Sequence, residues 1–349
     1  MEREVAMKKK RWMQVGILLV ILAVLLTVLL VLLVTMGASS WEKKTRTVRV
    51  GIAVYNREDA YITNICGHLD ELIYEYEKEH PNVKIERDIA DAGGSQQEQN
   101  SQIERYISLE YDLLLVNIVD RTNAAVMIDK ASEAGIPLVF FNREPVREDI
   151  FRSEGVYYEG SNAKQSALLQ ADLIAQVMEE DPDAIDRNQD GIIEFAMLEG
   201  ESNHQDTLIR SEWVLKGLEM QEIRTEKIVS SVANWERNQA KVVVGGWLME
   251  FGDEIELIIS NNDDMALGGV EALKEKNCQS IQVVGIDGVD EVRKMVEEGS
   301  ILGTVLCDTQ LHAKALLEFI EALAIDPEKW EELPLEEGRY YMIPLSTIT

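Results

Sequence analysis

Cysteine, proline and histidine are all scarce in this 349-residue sequence, at 3, 7 and 4 residues. Cys66, Cys278 and Cys307 are widely spaced and odd in number, so they make neither a disulfide framework nor a zinc-ligand pattern. One pair could bridge in an oxidising compartment, but the three read first as buried apolar side chains. So few prolines, with 46% hydrophobic residues, argue against a disordered or collagen-like chain. With four histidines in all, a hydrolytic triad is not expected. No Gly-rich phosphate loop opens the first strand-to-helix turn, and no Gly-x-Ser-x-Gly elbow or His-Glu-x-x-His helix occurs. Basic charge is short too. Lys and Arg total 34 against 63 Asp and Glu, a net of −29, which excludes a nucleic-acid partner, since that needs a basic face.

The charge that is present is divided unevenly. Residues 1–46 hold eight basic and three acidic side chains, a net of +5, which leaves −34 for the rest. Within that basic head runs Val15 to Met36, 22 residues without a charge. At about 1.5 Å per residue this run crosses a bilayer core of about 30 Å. It exceeds the apolar region of a cleaved secretory signal, so an anchor is favoured, while Gly37-Ala38-Ser39-Ser40 leaves room for cleavage. The cluster Lys8-Lys9-Lys10-Arg11 stays cytoplasmic by the positive-inside bias, which places residues 40–349 outside the cell membrane.

From Thr47 onward short β-branched runs alternate with amphipathic segments, the signature of a parallel sheet with helical crossovers. The first strand is Val48–Tyr55, followed by a helix over Asp59–Glu79 with Ile62, Ile65, Leu69, Leu72 and Ile73 on one face. The pattern restarts after Gly160-Ser161. Two successive βα runs predict two doubly wound α/β lobes joined by a hinge. Ligands of such sheets sit beyond the carboxyl ends of the strands, in the cleft between the lobes. Planar polar side chains stand at those ends: Asp59, Asn142, Asp206 with Arg210, Asn262 and Asp287. Such bidentate groups, flanked by aromatic rings, suit a neutral hydroxyl-rich ligand.

Five motifs carry a resemblance. Val50-Gly51-Ile52-Ala53-Val54-Tyr55 with Asp59 and Tyr61 is the first, and Phe140-Phe141-Asn142-Arg143-Glu144-Pro145 the second. Gly200-Glu201-Ser202-Asn203-His204-Gln205-Asp206 with Arg210, then Ser260-Asn261-Asn262-Asp263-Asp264-Met265-Ala266, and Val284-Gly285-Ile286-Asp287 complete the set. In that order, over about Val48–Leu323, the chain resembles the bacterial periplasmic galactose/glucose-binding proteins of the type I periplasmic sugar-binding family. The resemblance implies a pyranose clamped between two lobes. Asp59 would meet its 4-hydroxyl, Asn142 further ring hydroxyls and His204 the 6-hydroxyl. Asp206 and Arg210 would hold the anomeric end and ring oxygen, and Asn262 and Asp287 the 2- and 3-hydroxyls. Tyr61, where the family usually has Phe, and Trp235 would sandwich the ring. Cys307 departs further, standing where the family places an Asn, and a thiol is a poor substitute for an amide. Taken alone, Tyr61 and Trp235 could be core aromatics, and Asp206 with Arg210 a surface ion pair.

Asp186-Arg187-Asn188-Gln189-Asp190-Gly191-Ile192-Ile193-Glu194 carries oxygen ligands at positions 1, 3, 5 and 9, with Gly at 6 and Ile192 offering a backbone carbonyl. That alternation wraps a chain around one Ca²⁺. Position 12 is Met197, so the loop alone is incomplete, and the resemblance implies that the distant Glu256 closes it in a structural role.

The expected organisation is therefore a cytoplasmic head at 1–14 and a membrane anchor at 15–36. An N-terminal lobe follows, from 47–160 with about 307–330, and a C-terminal lobe from 161–306 with about 331–349. The expected function is a monomeric membrane-anchored protein that binds galactose or glucose and delivers it to an ABC importer. A ligand-sensing subunit for a chemoreceptor or sensor kinase is the alternative. An enzyme is not expected, because no nucleophile, base and oxyanion set is present.

Overall fold

The computed structural model describes residues 2–39 and 45–349. Helix α1 covers Glu2–Ser39, and its stretch Met7–Val31 is long and apolar enough, at a mean hydropathy of 3.0, to cross a membrane by length and composition. Ser40 and the basic pair Lys43-Lys44 lie outside the described residues.

The remainder, Thr47–Thr349, is built as the alternating pattern predicts. It runs β1 Arg46–Val54, α2 Ala60–Glu79, β2 Val83–Asp91, α3 Gln96–Ser108, β3 Leu113–Val116, α4 Ala124–Ala134, β4 Leu138–Phe141, α5 Arg147–Ile150 and β5 Val156–Ser161. Then come α6 Ala163–Glu180, β6 Ile193–Glu199, α7 Gln205–Met220, β7 Thr225–Val232, α8 Arg237–Glu250, β8 Leu257–Ser260, α9 Asp263–Lys276, β9 Gln282–Asp287 and α10 Asp290–Glu297. The last elements are β10 Gly303–Cys307, α11 Thr309–Ile320, β11 Tyr340–Ile343 and β12 Leu345–Ile348.

Two six-stranded sheets result, in the orders β11-β5-β4-β3-β1-β2 and β12-β10-β9-β8-β6-β7. β3, β4 and β8 are buried along their whole length, as expected of strands with helices on both faces. Helix α2 buries Ile62, Ile65, Leu69 and Ile73 at helical spacing, and Asp59 starts it by accepting from the amides of Tyr61 and Ile62. Leu72 falls at the edge of that face and is half-buried.

Three expectations need correction. The second sheet is not wholly parallel, because β12 runs antiparallel to β10 along its edge. The tail 331–349 does not belong to the C-terminal lobe alone: Tyr340–Ile343 pairs with β5 in the first sheet, and only Leu345–Ile348 joins the second. Pro344, with no amide proton to give a ladder, stands at the change of sheet. Of the cysteines only Cys307 is buried, while Cys66 and Cys278 are half-buried, and all three are free.

The chain thus passes between lobes after β5, after β10 and after β11. The polar strand ends of both sheets are brought together at these crossings.

Candidate functional site

A cleft of about 50 Å³ lies between the two sheets. A single water needs about 10–15 Å³ on this scale, so this inner part has room for a few waters, and it continues into a space of about 650 Å³ that shares Asp59, Tyr61, Trp235, Asn262 and Asp287. All ten sugar-binding candidates line it: Asp59, Tyr61 and Asn142 from the first lobe, and His204, Asp206, Arg210, Trp235, Asn262, Asp287 and Cys307 from the second. Arg143, Ser161 and His312 line it as well. Arg143 was visible as the neighbour of Asn142 in its motif, and Ser161 as the point where the pattern restarts. His312 had no signal beyond lying five residues past Cys307.

Local structure aims these groups. Asp59 spends one oxygen on the α2 amides and accepts from the Tyr55 hydroxyl at 2.6 Å with the other. Burial pushes its carboxyl up, against the pull of those hydrogen bonds and of Arg143. Asn142, at φ 59°, accepts from Asn117 at 3.0 Å. Trp235 at φ 67° and Asp287 at φ 133° also sit in backbone conformations disfavoured for side-chain-bearing residues. Such strain concentrates at functional sites, where the surrounding structure holds it. Gly200 lets the Trp235 indole lie against the chain, since a Cβ there would come 2.1 Å from a ring carbon.

His204 caps α7, its Nδ1 accepting from the amide of Asp206 at 3.1 Å. Burial, followed by Arg143, Arg210 and Arg121, holds its pKa well below the usual value, so the ring is neutral and its proton sits on Nε2, free to donate. Asp206 pairs with Arg210 at 3.1 Å, and Arg210 donates to the carbonyl of Asn261 at 2.9 Å. Burial raises the carboxyls of Asp206 and Asp287, with Arg210 opposing in both cases. Asn262 caps α9 through the amide of Met265 at 3.1 Å. Burial pushes the Cys307 thiol up, so it stays protonated, and its carbonyl accepts from the Tyr61 hydroxyl at 3.1 Å.

Arg143 stacks 3.4 Å from the Tyr55 ring centre and grips Glu201 through two bonds of 2.9 Å. Gln205 bridges Arg121 and Glu144, the latter at 2.7 Å. These contacts join residues of the two lobes beside the cleft.

The candidate calcium residues gather elsewhere, at the start of β6 and of β8. Glu256, buried, accepts from the amides of Arg187 at 2.7 Å and Asn188 at 3.2 Å, so it does face the loop. Asp186 accepts from Gly191, Asn188 from Asp190 and Asp190 from Ile192. Asp186 Oδ1 is buried without a hydrogen-bond partner. Glu194 lies beside Glu256 and is pushed up to about 7 by desolvation, then by Glu256 and Asp190. Among the described residues, no three His, Cys, Asp or Glu side chains are drawn tightly enough together to cage a metal on their own.

Two α/β lobes with a polar, aromatic-walled cleft at their facing strand ends define a ligand-clamping receptor. Residues 50–327 match the model of the periplasmic binding protein domain, and the chain belongs to that family. It is 34% identical over 289 residues to the D-galactose/methyl-galactoside binding periplasmic protein of Haemophilus influenzae, covering 81% of this chain and 85% of that protein. A putative rhizopine-binding protein of Rhizobium meliloti is 30% identical over 275 residues, covering 78% and 82%. Among solved structures, an ABC transporter solute binding protein from Bacillus halodurans with bound myo-inositol superposes with a TM-score of 0.70 at 24% identity, covering 88% of this chain and 96% of that one.

Proposed function

We propose that this protein is a membrane-anchored extracytoplasmic receptor that closes around one hexose, galactose or glucose, and delivers it to an ABC importer. The observation that carries this reading is the pairing of the cleft's cations. Arg210 is offset by Asp206 and Arg143 by Glu201, so neither is left to hold an anionic ligand, while Asp59 and Asp287 add carboxyl acceptors for hydroxyl groups. What remains are planar donors and acceptors between two aromatic side chains, Tyr61 and Trp235. The relative from Haemophilus influenzae is named for binding galactose, which supports the choice of hexose. The chain is a binding protein and not an enzyme, in keeping with its family. Helix α1 serves as the anchor, with residues 40–349 outside the membrane. Calorimetric titration of the detergent-solubilised full chain should show galactose or glucose binding at least tenfold more tightly than ribose or xylose. Binding of a pentose or a cyclitol with no heat from either hexose overturns the reading.

Calcium belongs to the same proposal, as a structural ion held by Asp186, Asn188, Asp190, Ile192, Glu194 and Glu256. The orphaned Asp186 Oδ1 beside the buried Glu256 fits a cation. These residues would tie the loop before β6 to the start of β8, at the opposite ends of those strands from the cleft. An ion that binds only the folded state stabilises it by RT ln(1 + [L]/Kd). The melting temperature should therefore climb with calcium and fall in chelator, while hexose binding persists. A melting curve indifferent to both chelator and Asp190→Ala counts against the ion.

A further inference from the structure

At the cleft, where His312 joins the lining, stands a pair of side chains that packing alone does not account for. Glu159 and His312 are both buried, 0% and 1% exposed, with Glu159 Oε1 2.6 Å from His312 Nδ1 at an angle off the ideal hydrogen-bond line. The second oxygen of Glu159 has no hydrogen-bond partner. A carboxyl group buried among apolar strands with an oxygen left unpartnered costs stability rather than adding it. Something other than stability favours keeping it.

Geometry supplies the reason. β5 places Glu159 and Ser161 two residues apart, on one side of the strand. His312 enters from the first turn of α11, its Nε2 3.3 Å from Ser161 Oγ. A Glu159 oxygen lies against Nδ1, and in the neutral ring with its proton on that nitrogen Nε2 is an acceptor held only by a long contact to Ser161. Both His312 and Ser161 line the cleft, as does Cys307, whose thiol offers only weak hydrogen bonding.

We propose that His312, oriented by Glu159 and sharing its Nε2 with Ser161, is a further ligand-contacting residue that accepts a hydrogen bond from one hydroxyl of the bound sugar and so sets specificity. This deepens the hexose reading and rests on it. The test is titration of the full chain in detergent with galactose and its 2-, 3-, 4- and 6-deoxy analogues, for the parent and for His312→Leu, Glu159→Gln and Ser161→Ala. His312→Leu should weaken galactose about tenfold, the value of one hydrogen bond to a buried group, while one deoxy analogue binds parent and variant within twofold. Glu159→Gln, which frees the ring without emptying the site, should show a smaller loss at the same hydroxyl. A merely structural pair would shift all five ligands by one common factor, and that result, or no shift at all, overturns the proposal. Should His312→Leu show no melting transition, the other two variants read the same pattern. A parent that binds none of the five ligands sinks the hexose reading and this inference together. A parent that binds galactose, with variants uniform across the analogues, sinks this inference alone.

Discussion

Arg210→Met should abolish measurable hexose binding and lower the stability of the protein, the largest combined effect expected from any single substitution. Arg210 is only 6% exposed, its guanidinium pairs with Asp206 and bonds the Asn261 carbonyl, and its Nε is buried without a hydrogen-bond partner. Removing one member of a buried charge pair costs about 3–5 kcal/mol, because the carboxylate left behind stays desolvated. The same loss in binding is a factor of about 100 to several thousand. Two carboxyls, Asp206 and Asp287, are already raised by burial and restrained by Arg210, so the variant should raise them further. An acid whose folded pKa lies above its unfolded value, about 3.9 for Asp, contributes stability at low pH that is lost as pH rises through the folded pKa. The melting temperature of Arg210→Met should therefore gain more on acidification from pH 8 to pH 5 than that of the parent. Parallel pH curves together with a hexose affinity within tenfold of the parent would sink the assignment of Arg210 to the cleft.

Most of the scaffold was legible because its signals are local. The β-branched runs, the helical spacing of Ile62, Ile65 and Leu69 and the capping residues Asp59, Ser95 and Asn162 each announce an element within a few residues. What escaped was non-local. β11 and β12 are four residues each and flank Pro344, and nothing in so short a stretch says which sheet an edge strand will join. That choice is made by the open edges of β5 and β10. The site divides along the same line. Polar residues at strand ends could be picked out one by one, and they meet because every strand of a lobe points its carboxyl end at the same cleft. His312 comes from a helix that crosses back between lobes, and its meaning depends on Glu159, 153 residues away, so neither stood out in the sequence. Arg143 and Glu201 were likewise present in two motifs without their pairing being evident.

Asp59 offers the sharpest separation between building the cleft and filling it. Asp59→Ala should lose hexose binding at least 100-fold and also destabilise the fold. The carboxylate caps α2, and removing such a cap costs about 0.5–2 kcal/mol. The Tyr55 hydroxyl, now 2.6 Å from Asp59, would be left without its acceptor, at about 1–3 kcal/mol more. Asp59→Asn behaves differently. An amide oxygen still accepts from the α2 backbone, and the Tyr55 hydroxyl can turn to accept from the amide nitrogen, so the melting temperature should stay close to the parent's. A sugar hydroxyl that donated to the carboxylate would meet an N–H instead, and hexose affinity should still fall about tenfold or more. Measuring melting and titration curves for both variants distinguishes a residue that merely starts a helix from one that also holds the ligand. If Asp59→Asn binds the parent's best sugar within threefold, Asp59 is only a cap and the ligand lies elsewhere in the cleft.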